Sequence, residues 1–296
     1  MRTSSIVLRT LAAGVASVFV LSFLALSDGP ATAGGEAEKR VEMKPNRVRV
    51  VLVAPVDAKH RPIYERLTQR GMPERLAQFL SPVRLPRELV VTVEGCKGDV
   101  NAFYEDAAIT VCYELLQYYH DAAPKEISPE GLAPADAILA PAITFVLHEV
   151  GHAIFDLLDI PVLGREEDAA DLLSAYLQLQ LGPQSARMLI ASIAYLGEKE
   201  IQIAMSKGFK LEDFSDVHGL AAQRYFNVLC MAYGFDPKLF ADAVTRWHLP
   251  RERAESCEVE YQTFERAYRR LIAPHLDPQL LKVAKSRDWL RFDEQK

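Results

Sequence analysis

The chain has 296 residues, 49% of them hydrophobic and 25% charged, enough apolar content for one sizeable domain or two small ones. A formal net charge of −6 speaks against nucleic acid or an anionic membrane surface as the main partner. There is no long run of like charge and no internal repeat.

Residues 1–33 have the layout of a secretory signal peptide. Arg2 and Arg9 flank the start of an apolar run from Leu11 to Leu26, and Ala31-Thr32-Ala33 supplies a small-x-small cleavage site after Ala33. The alternative is an uncleaved anchor, but the apolar run is short for a membrane span. The expectation is a secreted or periplasmic protein with no stable membrane association once the segment is removed. Residues 34–46, rich in Gly, Glu, Lys and Pro, read as a flexible leader, and 47–296 as a single domain.

Arg47–Ala54 has strand composition, and 60–80 carries apolar residues at helical spacing (Ile63, Leu67, Met72, Leu76, Phe79, Leu80). Glu88–Glu94 and Ala108–Tyr113 are further strands, bracketing a loop rich in turn formers that begins at Gly95-Cys96. From Glu114 onward the pattern is almost wholly helical. Helices are predicted at 114–122, 133–159, 166–181, 184–207, 216–233, 236–246, 250–272 and 277–288, with Pro183, Pro237, Pro250 and Pro274 near their boundaries. The fold class is therefore α+β, with a small N-terminal sheet and a mostly helical C-terminal part.

The four cysteines fall in two close pairs. In an oxidising compartment they predict local disulfides, Cys96–Cys112 and Cys230–Cys257, among three possible connectivities. No C-x-x-C is present to suggest a cysteine metal site.

The chemistry is concentrated in residues 145–171. His148-Glu149-Val150-Gly151-His152 is an H-E-x-x-H on a predicted helix, so both imidazoles lie on one face and can share a metal ion. The surrounding helix is apolar, where bare charges are costly without a purpose. The acidic cluster Arg165-Glu166-Glu167-Asp168 follows, with Asp171 one turn beyond. Glu167 is the favoured third ligand, because only it has an acidic partner, Asp171, four residues on, able to orient a ligand histidine. Two histidines and a carboxylate with an open fourth position make a catalytic zinc site rather than a structural one. Glu149 would act as general base on a metal-activated water. Gly151, disfavoured in a helix interior, predicts that another backbone comes close.

H-E-x-x-H followed by Glu167-x-x-x-Asp171 resembles the gluzincin class of zinc metallopeptidases. The longer string His148–Ala153 with Gly164–Asp171 resembles a bacterial metallopeptidase family of undefined substrate. Similarity to that family extends to Gly95-Cys96, Asn101–Tyr104, Cys112–Glu114, Asn227–Cys230 and Tyr233-Gly234. The resemblance implies a zincin-like fold and a peptide or protein substrate. It implies zinc on His148, His152 and Glu167, Glu149 as base, and Asp171 supporting a histidine. By the same analogy a substrate strand would pair with a sheet edge beside the metal, with Ala108–Tyr113 the candidate. His218 is a candidate oxyanion donor, with Tyr104 and Tyr113 as rivals. Two other readings stay open: a zinc amidohydrolase acting on a non-peptide or cell-wall amide, and an inert metal-stabilised binding protein. An intact Glu149 speaks against the latter.

Overall fold

A computed structural model describes residues 42–128, 134, 136–287 and 289 of the chain. The expected signal segment, 1–33, and most of the leader, 34–46, lie outside them. Glu42–Asn46, the last residues of that leader, are described and are not loose. Lys44 and Leu85 exchange two backbone hydrogen bonds, and Asn46 N–H donates to Ser81 O.

The described chain is α+β, with four strands and mostly helix. Strand β1 (Val48–Leu52) leads through helices α1 (Arg61–Gln69) and α2 (Met72–Leu80) to β2 (Leu89–Glu94). The helical periodicity of 60–80 is interrupted at Gly71, whose φ of 58° places it in the left-handed region that ends one helix and starts the next. β1 and β2 run parallel, as the α1–α2 crossover requires, with Val50 opposite Val91. In β2, Leu89, Val91 and Val93 alternate inward onto the core.

The turn-rich loop conceals a strand. β3 (Ala102–Glu105) forms an antiparallel hairpin with β4 (Ala108–Cys112), and β4 runs parallel to β2. The sheet order is β1-β2-β4-β3. The edge expected at Ala108–Tyr113 is thus an interior strand, and the free edge on that side is β3. The two residues of the hairpin turn, Asp106 and Ala107, both have positive φ, 47° and 62°. That is a two-residue primed turn made without the glycine that normally signals one.

Helix α3 (Tyr113–Asp121) leads into the largely apolar α4 (described over Asp136–Leu157), which lies in the main core against the sheet. α5 (Glu166–Leu179), α6 (Pro183–Lys207), α7 (Ala221–Phe235) and α9 (Arg251–Leu271) enclose a second core around Tyr176, Leu229, Phe240 and Trp247. α8 is only Asp242–Thr245, shorter than the 236–246 expected, and α10 is Pro278–Lys285. α7 begins at Ala221 rather than 216, so His218 lies in the segment before it.

Both expected disulfides are present. Cys96–Cys112 ties the loop before β3 to the end of β4, and Cys230–Cys257 ties α7 to α9. One turn from Cys230, Gly234 lets these helices touch: a Cβ there would sit 2.2 Å from the Cys257 carbonyl oxygen. Gly234→Ala therefore forces the backbones apart, and urea titration is expected to show a loss of about 3 kcal/mol despite alanine's better helix propensity.

Candidate metal centre

Five elements converge at one end of the sheet. His148, Glu149 and His152 come from α4, and Glu166, Glu167 and Asp171 from α5. α7 contributes Arg224, the segment before it Asp216 and His218, and β3 one wall of the cleft. α4 and α5 can lie this close because of Gly151. A Cβ on it would be 3.0 Å from Ala170 Cα and 3.4 Å from Ala170 O. The close backbone approach expected from this glycine is present, and the helix it meets is the one carrying Glu167.

The donor atoms form a small triangle. His148 Nε2 lies 3.1 Å from Glu167 Oε2 and 3.3 Å from His152 Nε2, and His152 Nε2 lies 3.4 Å from Glu167 Oε2. Four donors arranged tetrahedrally at the usual zinc bond length of about 2.0–2.1 Å stand about 3.3–3.4 Å apart. The triangle is thus the size of one face of such a tetrahedron, and its two nitrogens and one oxygen suit zinc. The residues present fit the ion. His218 Nε2 also reaches Glu167 Oε2, at 3.0 Å, and forms with His148 and Glu167 a looser set whose donor atoms all lie within 4.8 Å.

Each histidine is held from behind. His148 Nδ1 lies 2.9 Å from Asp171 Oδ1, a contact bent away from a linear hydrogen bond. Asp171 in turn accepts two hydrogen bonds from Arg224, Nε to Oδ2 at 2.6 Å and Nη2 to Oδ1 at 2.7 Å, a bidentate pair. Arg224 lies far in sequence from Asp171, the residue it holds. Its one sequence signal is that it is the only charged residue in Ala221–Phe235, and a lone charge in an apolar helix calls for a buried partner. His152 Nδ1 lies 2.7 Å from Glu166 Oε1. Glu166, passed over as third ligand, therefore stands to His152 as Asp171 stands to His148. Asp168 pairs with Arg165, at 2.8 Å. The acidic cluster is thus divided among distinct partners, at a helix N-terminus that favours negative charge.

These contacts set the proton affinities. Burial disfavours charge on His148, but the Asp171 and Glu167 carboxylates against its two ring nitrogens outweigh it and raise its pKa to about 9. The hydrogen bond from His148 dominates at Glu167, holding its carboxyl at about 2. Burial pushes Asp171 up, yet Arg224 and His148 keep it well below the usual carboxylate range. Glu149 goes the other way: burial raises its pKa and outweighs the lowering by the His148 and His152 charges, with the Glu167 charge adding to the rise. Its carboxylate has no hydrogen bond or ion pair among the described residues, so it is the group at the site without a fixed partner.

The triangle lies in an open cleft of about 810 Å³, lined also by Asn101–Tyr104 and Ser215–His218. His218 is held by Asp216, which accepts from its backbone N–H at 2.8 Å and lies 3.1 Å from Nδ1. The two tyrosine rivals are engaged elsewhere. Tyr104 Oη donates to Asp156 at 2.5 Å, and Tyr113 is fully buried, donating to Val53 O at 2.9 Å.

Two imidazoles and a carboxylate at this spacing, with the Glu149 carboxylate beside them, make a donor set of the kind that can hold a divalent metal ion. Residues 53–272 match the family described as "Putative metallopeptidase" (DUF4344), and the chain belongs to that family. No curated protein and no solved structure matches the chain.

Glu167→Ala is expected to abolish stoichiometric zinc binding. Glu166→Ala, which removes only the orienting partner of His152, is expected to weaken it by about 10–100-fold. Zinc titration against a fluorescent chelator separates the two, and equal losses would contradict the assignment of Glu167 over Glu166.

Proposed function

We propose that the protein is an exported, zinc-dependent endopeptidase of gluzincin type. The observation that carries this reading is the donor triangle of His148, His152 and Glu167, with an unpartnered Glu149 beside it. Two disulfides fit an oxidising compartment, and no helix among the described residues is long and apolar enough to cross a membrane. The signal-like segment 1–33 points the same way.

Zinc held by the triangle would supply Lewis acidity toward the scissile carbonyl and leave a fourth position open. Asp171 and Glu166 fix the rings of His148 and His152, so the donor geometry is set before substrate arrives. Glu149 takes a proton from the attacking water and passes it to the departing amine. Its raised pKa, from burial beside Glu167, brings a carboxylate closer to the range in which both transfers are feasible. His218, held through Asp216, turns from Glu167 to donate to the oxygen on which negative charge develops. β3 is the free edge beside the cleft, so an extended substrate adds to it as a further strand, with its main-chain groups paired along Ala102–Glu105. That main-chain pairing favours a peptide over a small non-peptide amide.

Glu149→Gln keeps size and hydrogen bonding but removes the base. It is expected to lower kcat by about 10²–10⁴-fold in a peptide-library cleavage assay, with zinc content unchanged. A zinc-loaded wild-type protein that cleaves nothing the variant spares would exclude the peptidase reading.

A further inference from the structure

From the last turn of α6 toward α7, every residue from Met205 to His218 is exposed. That is ordinary for a polar linker, but this one carries Phe209, Leu211, Phe214 and Val217. Leu211 is 84% exposed, Val217 66% and Phe214 62%. Single exposed apolar side chains need no explanation, whereas a run of them beside a cleft marks a surface that something covers. Phe209 and Phe214 touch each other, ring centroids 6.1 Å apart, and so form a patch rather than isolated tips.

The loop is continuous with the catalytic cleft. Asp216, Val217 and His218 line the cleft together with β3, which presents the exposed Phe103 there. Behind the loop lies a second open depression of about 820 Å³, which shares Asp216 and His218 with the first.

The charges in the loop narrow the choice of occupant. Lys207 and Lys210 are outnumbered by Glu212, Asp213 and Asp216, the wrong balance for an anionic bilayer, which attracts basic segments. A two-fold pairing of copies centred on the patch would set Glu212 and Asp213 against their own counterparts and cover the cleft. An extended polypeptide meets neither objection. Its backbone can pair with β3 while its apolar side chains reach the loop.

We propose that the Phe209–Val217 loop is a docking surface for unfolded, apolar-rich polypeptide, so that non-native proteins are the substrate class. Its catalytic consequence rests on the peptidase reading above, but the binding does not.

The test uses the zinc-loaded mature chain carrying Glu149→Gln, to suppress turnover. The probes are fluorescent reduced and carboxymethylated α-lactalbumin, which cannot refold, and the native protein. Fluorescence anisotropy is expected to show binding of the unfolded form only. The added pair Leu211→Ser and Phe214→Ser, both exposed and outside the catalytic machinery, is expected to weaken that binding at least about tenfold without changing Tm. In the active background the pair should lower kcat/KM on the unfolded protein to a similar degree and leave a short peptide unaffected. Equal binding with and without the pair overturns the proposal. So does co-sedimentation of the loop with anionic vesicles, or a dimer in ultracentrifugation that the pair dissociates. Unfolded protein that is bound but never cleaved by wild type would leave the docking surface standing and remove the peptidase reading. Cleavage indifferent to the loop would do the reverse.

Discussion

The close approach of α4 and α5 at Gly151 is the constraint on which the site depends. A helix-interior glycine costs about 1 kcal/mol relative to alanine. In return Ala170 packs onto the α4 backbone, and the donor atoms of His148, His152 and Glu167 come within 3.1–3.4 Å of one another. A larger residue at 151 would separate the helices and open the triangle, although no ligand had been changed. The same approach buries His148 beside Asp171. A buried carboxylate left unpaired is strongly destabilising, and Asp171 is held by the bidentate Arg224 pair as well as by its contact with His148. Packing and electrostatics thus fix the same geometry.

The disulfides brace the two sides of this arrangement. Cys96–Cys112 closes the loop before β3, where Glu114 also accepts hydrogen bonds from Cys96 N–H and Gly98 N–H. The strand that walls the cleft is therefore anchored at its entry. Cys230–Cys257 locks α7 to α9, two turns beyond Arg224 on α7. Cross-links spanning 16 and 27 residues are each expected to contribute about 3 kcal/mol through the unfolded state. Between these braced walls the Met205–His218 segment is the exposed element, and it carries His218. The division places rigidity around the donor triangle and exposure in the segment that carries His218.

What could be read in the sequence was local. The H-E-x-x-H spacing, the Glu167–Asp171 repeat and most helix boundaries follow from periods of a few residues, and the paired cysteines from simple nearness in sequence; the structure places each where those signals put it. What could not be read was non-local or lacked its usual marker. β3 was hidden because its hairpin turn, Asp106-Ala107, has positive φ at both residues without a glycine. With it went the identity of the sheet edge, which is β3 and not Ala108–Tyr113. Glu166 was passed over as a ligand because only Glu167 has an acidic residue four positions on, a test within a single helix. Its partner, His152, lies on another helix. Arg224 reaches Asp171 from 53 positions away, and only its isolation as a charge hinted at a role.

The central claim is that α4 and α5 together form one zinc site from His148, His152 and Glu167. X-ray absorption at the zinc edge, together with anomalous scattering from crystals of the zinc-loaded protein, tests it most directly. The account predicts one ion with nitrogen from both histidines and oxygen from Glu167, at about 2.0–2.1 Å. An ion held by His148, Glu167 and His218 with His152 unbound, or no ordered zinc at all, would contradict it.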